Sequence, residues 1–133
     1  MRLDLAYDAG FDPPAPVVPV LLSAVGSDRV LTPMLLDTGA DCTLVPERVA
    51  RSLGLPRVGR SDVRGVTGAS TSRDCHAALV RIGAWSRIVR VVPLEDEAIL
   101  GRDVLRAMVV RLDGPSGEFH LATRRAPRRP SRR

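Results

Sequence analysis

The apolar segments of this chain are short, and nearly every one runs into a glycine or a proline. "VVPVLLSA", "RVLTPMLL" and "IVRVVP" hold six to eight residues each, which suits strands and is short for an ordinary helix. Eleven Gly and eleven Pro in 133 residues supply turns between them. Only 3% of the residues are aromatic, so the core must come from Val, Leu, Ile and Ala, of which the β-branched types favour strands. A chain of this length fits one domain and buries roughly two-thirds of its unfolded surface, enough for a core without covalent staples. The expectation is a mostly-β single domain over residues 1–123.

"RLDLAY" alternates Leu3, Leu5 and Tyr7 on one face, the period of a strand. Two further segments pair as a hairpin around "VGSD". In its second strand Pro33 requires an open edge, because it has no N–H to give. "PERVARSLGL" predicts a short helix: Pro46 suits the first turn, Glu47 the positive N-terminal end, and Gly54 the stop. "SDVRGVTGASTSRDCHAALVRIG" predicts a hairpin with its tip at "GVTG", followed by a longer strand. Trp85 falls in the next turn as a packing cap, and "LEDEA" is an acidic loop. "AILGRDVLRAMVV" starts as a strand and becomes a short helix with Asp103 as N-cap. "VVRLDGPSGEFHLAT" is a last hairpin. "MLLDTGADCTLVPERVARSLG" and "EAILGRDVLRAM" share one order of strand, glycine turn, acid and helix, the mark of a duplicated half-domain.

The net charge of +5 is uneven. Six of the twenty basic residues, all arginines, lie in the last ten positions, "RRAPRRPSRR", leaving 14 basic against 15 acidic residues elsewhere. The near-neutral body argues against a nucleic-acid-binding domain. Residues 124–133 read as a solvated, disordered tail rich in Arg and Pro. Cys42 and Cys75 stand far apart without a metal-binding spacing, as expected of free thiols in a reducing, cytoplasmic setting. No stretch approaches the ~20 apolar residues of a membrane helix, and the N-terminal stretch lacks the apolar run of a signal peptide. His76 and His120 are isolated from any acid or thiol pattern and read as packing or surface residues.

The carboxylate of Asp37 closes the apolar run "MLL", and "DTGAD" follows. On its own, Asp-Thr-Gly is a common turn. About sixty residues later comes "AILGRD", two aliphatics and a Gly-Arg. Together "LLDTGAD" and "ILGRD" resemble, in order and spacing, the two signatures of the retropepsin-like aspartic proteases, and the resemblance spans about residues 15–123. It implies a closed β-barrel with one or two short helices, and peptide hydrolysis without cofactor or metal. A carboxylate can serve as general base to water when its pKa is tuned. Two facing carboxylates share one proton, so one accepts while the other donates, the arrangement of aspartic proteases generally. One chain carries one Asp-Thr-Gly, so the resemblance implies a C2 homodimer in which two copies of Asp37 meet.

The same resemblance implies roles for the neighbours. Thr38 bonds across to the partner's loop, and Gly39 lets backbone and substrate approach. Ala40 leaves room for the substrate main chain, and Asp41 binds it while pairing with Arg102. Ile99 contacts substrate; Leu100, Gly101 and Arg102 support the loop. The hairpin at residues 62–74 is the flap, with Gly65, Val66, Thr67 and Gly68 at its tip, closing over an extended peptide. Cys42 lines the pocket or is a small buried hydrophobe. One stretch departs from the family: where its members carry apolar side chains, Glu95, Asp96 and Glu97 stand instead and predict an acidic cleft mouth that favours basic or polar residues near the cleaved bond. "RLDLAY" and "EFHLAT" are the candidate dimer strands. The competing expectation is a catalytically silent module of the same fold that binds peptide or dimerises.

Overall fold

The computed structural model describes residues 1–65 and 67–124; Val66 and residues 125–133, most of the expected tail, lie outside the described residues. Along the described chain the order is β1 (Arg2–Ala6), β2 (Val17–Ser23), β3 (Arg29–Leu36), β4 (Leu44–Val45), α1 (Glu47–Leu53) and β5 (Arg57–Arg64). There follow β6 (Ser70–Ile82), β7 (Trp85–Pro93), β8 (Ile99–Leu100), α2 (Arg102–Leu105), β9 (Val109–Asp113) and β10 (Glu118–Ala122). The mostly-β, single-domain expectation holds.

The larger sheet runs β2-β3-β8-β4-β7-β6-β5, and β2 also pairs with β6, so the neighbours form a ring from which β5 projects. Alternate residues face inward and are buried: Val18, Val20 and Leu22 on β2, Met34 and Leu36 on β3, Ala78, Val80 and Ile82 on β6. The period of two puts these aliphatics on one side of each strand, as half-buried strands require. Pro19 and Pro33 stand opposite each other in the β2–β3 register. At those positions neither β6 nor β8 continues the sheet, since they reach only Leu21–Ser23 and Leu35–Leu36. Each proline therefore sits where the outer edge of its strand is open, as a residue without N–H requires.

The second sheet is β1-β10-β9, with β10 in the middle. The two terminal strands expected at a dimer interface thus pair with each other inside one chain, Asp4 opposite His120. The inward face delivers Phe119 and Leu121, both fully buried, with Leu3, Leu5 and Tyr7 packed against the same core. The Phe119 and Tyr7 rings lie tilted with centroids 5.9 Å apart. Trp85 opens β7, half-buried against the core, with the Arg87 guanidinium 5.5 Å from its ring centroid.

Pro46 is the N-cap of α1, one position before the first helical residue, and Gly54 ends the helix in the left-handed region at φ 60°. Glycine takes that conformation without a Cβ penalty, so its N–H can turn back to the Ala50 and Arg51 carbonyls. In α2 the expectation fails in one detail. Gly101, in extended conformation, is the N-cap and Asp103 lies within the first turn, where its Oδ1 accepts from both the Thr43 hydroxyl and the Val104 N–H.

Candidate active site

The end of β3 is held on two sides. The Leu35 N–H donates to the Ala98 carbonyl at 2.9 Å, the Asp37 N–H to Leu100 at 3.0 Å, and the Leu36 N–H to Pro16 at 3.0 Å. β3 and β8 run parallel, with Leu35 opposite Ile99 and Leu36 opposite Leu100. The two segments that echo each other in sequence are therefore neighbours in space.

Past Leu36 the chain turns. The Ala40 N–H donates to the Asp37 carbonyl at 3.2 Å, and the Gly39 N–H to Asp37 Oδ1 at 2.8 Å. One carboxylate oxygen is thereby fixed by its own turn, as Asp does well. Asp37 is half-buried, while Thr38, Gly39 and Asp41 are exposed. A Cβ on Gly39 would sit 3.1 Å from Asp37 Oδ1.

Arg102 binds this loop at three points. Its backbone N–H donates to the Ala40 carbonyl at 2.8 Å, its Nη1 to the Thr38 carbonyl at 2.6 Å, and its Nη2 to the Asp41 carboxylate. The ion pair expected between Arg102 and Asp41 is present. Beneath the loop lies a network that sequence reasoning missed. Thr43, fully buried, donates its hydroxyl to Asp103 Oδ1 at 2.8 Å and its N–H to Oδ2 at 3.0 Å. The Gly101 N–H donates to the Thr43 hydroxyl oxygen at 3.2 Å. A lone Thr in "DCTLVP" gives no pattern to read, and its partner is 60 residues away.

The hairpin of β5 and β6 stands opposite. Its strands pair from Gly59–Cys75 to Arg64–Ser70, and the turn is closed by Gly65 N–H to Ala69 at 3.1 Å and Gly68 N–H to Gly65 at 2.9 Å. Gly68 is left-handed at φ 81°. A cleft of about 510 Å³ separates loop from hairpin, with Gly39, Ala40, Asp41, Cys42 and Leu44 on one wall and Asp62, Val63, Arg64 and Ser70 on the other. Ile99 pairs behind the loop with Leu35 and Leu44 and is not part of that lining. Gly65, Thr67 and Gly68 are exposed at the tip, and Val66 lies outside the described residues. The acidic segment does not line the cleft of the single chain: the Glu95 carbonyl accepts the Glu47 N–H at 2.8 Å, and Asp96 lies 3.9 Å from Arg48.

Cys42 is half-buried, and burial pushes its thiol pKa up, reinforced by the charges of Asp103 and Asp41 and by Cys75. Both cysteines are free. No helix of the described residues is long and apolar enough to cross a membrane.

Comparison with known proteins bears on the family and the fold. Residues 27–107 match the family model described as "gag-polyprotein putative aspartyl protease". A retropepsin-like aspartic protease from Rickettsia conorii superposes with a TM-score of 0.63 at 16% identity, covering 91% of this chain and 89% of that one. EIAV protease, solved with the inhibitor HBY-793, superposes with a TM-score of 0.56 at 24% identity, covering 69% and 86%. At these identities the two structures speak to the fold. No curated protein matches the sequence significantly. With more than half of its length under that one family model, the chain belongs to the gag-polyprotein aspartyl protease family and has a retropepsin-like fold.

Proposed function

We propose that the protein is an aspartic endopeptidase that works as a homodimer, with Asp37 of each subunit activating one water. The reading is supported most by the meeting of both signature segments at β3 and β8, with the hairpin across a cleft from the Asp37 loop. In the dimer, two Asp37 carboxylates share a proton. The charged one takes a proton from water as its oxygen attacks the scissile carbonyl, and the protonated one donates to the carbonyl oxygen. Collapse of the resulting diol breaks the C–N bond and sends a proton to the departing amine.

Thr38 braces the partner's loop, and Gly39, Ala40 and Asp41 hold the substrate main chain. Ile99, paired behind the loop with Leu35 and Leu44, backs the substrate wall without lining the cleft of the single chain. Leu100, Gly101 and Arg102 keep the loop in place. Gly65, Thr67 and Gly68 carry the hairpin tip down over an extended peptide. The substrate is a protein or peptide segment laid between loop and hairpin as an added strand.

The test combines sedimentation with hydrolysis of a peptide library. Dimers are expected, inhibited by a statine-type mimic, and Asp37→Asn should cost about 10²–10⁴-fold in turnover while leaving the fold intact. Turnover that survives in Asp37→Asn refutes the mechanism. Peptide binding by the wild type without any turnover would make the protein a silent module.

A further inference from the structure

A second cavity, of about 660 Å³, shares no residue with the cleft beside Asp37. It opens between α1 and the two arms of the hairpin. Its floor is apolar, made by Ala50 and Leu55, both buried. Its walls are charged. Arg51 comes from α1, Arg60 and Arg73 from β5 and β6, with Glu47 and Asp74 as the acids.

Three arginines face two acids, Glu47 and Asp74, so the walls keep a surplus of one positive charge. Asp74 is already engaged, 3.0 Å from Arg57 and 3.9 Å from Arg60, and this engagement holds its carboxyl below the ordinary range, the Arg57 hydrogen bond foremost. Among the described residues Arg51 and Arg73 form no ion pair, so both guanidinium groups have donors to spare. His76 lines the same cavity, and its Nδ1 is buried without a hydrogen-bond partner among the described residues. A half-turn of the imidazole ring exchanges that nitrogen with a carbon and presents it on the other side.

We propose that this cavity binds an organic carboxylate with an apolar body, its carboxylate between Arg51 and Arg73 and its body on Ala50 and Leu55. The volume is that of a small-molecule site. The guanidinium fork matches a carboxylate in shape and charge. An inorganic oxyanion would use the arginines and leave the floor wet. A neutral apolar molecule would cover the floor and leave the surplus positive charge unanswered. Only a molecule with both parts satisfies both.

The probe is 4-phenylbutyrate, titrated into the ¹⁵N-labelled full chain while backbone amide shifts are followed. Saturable shifts are expected at Arg51, Leu55, Arg73 and His76, with none at Gly39–Asp41. Arg51→Gln and Arg73→Gln should each weaken binding about tenfold, the effect of one charge-assisted hydrogen bond. Arg51 is exposed, so its replacement leaves the fold standing. The neutral 4-phenylbutanamide and inorganic phosphate should both bind at least about tenfold more weakly than the acid. No saturable shift, shifts that map elsewhere, an amide that binds as well as the acid, or phosphate that binds as tightly would each overturn the proposal. Asp37→Asn protein should bind the probe unchanged, so this result stands apart from any test of peptidase activity.

Discussion

A methyl group on Gly101 would stand 2.5 Å from the Cys42 carbonyl oxygen, 2.6 Å from its carbon and 3.0 Å from the Ala40 oxygen. These are backbone atoms of the Asp37 loop, so no side chain can swing away, and relief means moving the loop itself. Gly101→Ala should lower stability by about 2–3 kcal/mol, seen as a lower urea midpoint; a wild-type midpoint would mean that loop and β8 part freely. Thr43→Val keeps the shape but leaves the Gly101 N–H and the Asp103 carboxylate short of a partner. The expected cost is about 2 kcal/mol by the same measurement, most of it restored in Thr43→Ser. The Arg102–Asp41 pair is different. The Asp41 side chain is 87% exposed, and exposed ion pairs contribute no more than about 1 kcal/mol. Its value is geometric, since one guanidinium fork ties Asp41 to the Thr38 carbonyl. Asp37, Asp41 and Arg102 were legible because they sit in signatures that few unrelated chains combine. Thr43 was not, because its role comes entirely from a carboxylate on another element.

The hairpin strands announced themselves by their turn residues, and α1 by Pro46, Glu47 and Gly54. The length of β6 did not. Its 13 residues serve in turn as hairpin arm, ring strand and partner to β2, so the break read between a hairpin and a longer strand does not exist. Asp103 stands two residues past the cap, because the extended residue before the helix is Gly101, and a glycine carries no side chain to mark it as a cap in sequence. In the terminal sheet, His120 Nδ1 lies 2.6 Å from Asp4 Oδ1 across the β1–β10 pair. That hydrogen bond, with help from Arg2, holds the Asp4 carboxyl below its ordinary value of 3.8. A carboxylate whose folded pKa is lowered stabilises fully above the unfolded value and loses that contribution as pH falls through the folded one. Asp113, lowered by hydrogen bonds from Ser116, acts in the same direction. The melting temperatures of wild type and Asp4→Asn should therefore differ at pH 6 and converge as pH drops below 3.8. A gap that grows toward acid would contradict this account of the pair.

At the scale of the molecule, ring closure depends on three register pairs between β2 and β6, Leu21–Arg81, Leu22–Val80 and Ser23–Leu79. Nothing local in either strand marks them, since any exposed edge of suitable length could have paired. The class of fold was legible from segment length and period; the closing pair had to be seen. If the proposed dimer forms, folding and association are linked, and the melting temperature should rise with protein concentration. Calorimetry across a hundredfold dilution series checks this, and a constant value with a monomeric sedimentation profile would speak against the dimer. The anchoring of β3 has one more consequence. Asp37 takes its place through hydrogen bonds to the carbonyls of Pro16, Ala98 and Leu100 by Leu36, Leu35 and Asp37 itself, with Arg102 fastening the turn. On the ribosome the aspartate emerges long before residues 98–102, and domains fold only as their parts become available. A half-made copy therefore carries the carboxylate without the cradle that gives it purpose. If the proposed peptidase activity holds, order of synthesis acts as a safety catch, sparing neighbouring nascent chains from a blade that cannot be mounted until its far support has been made.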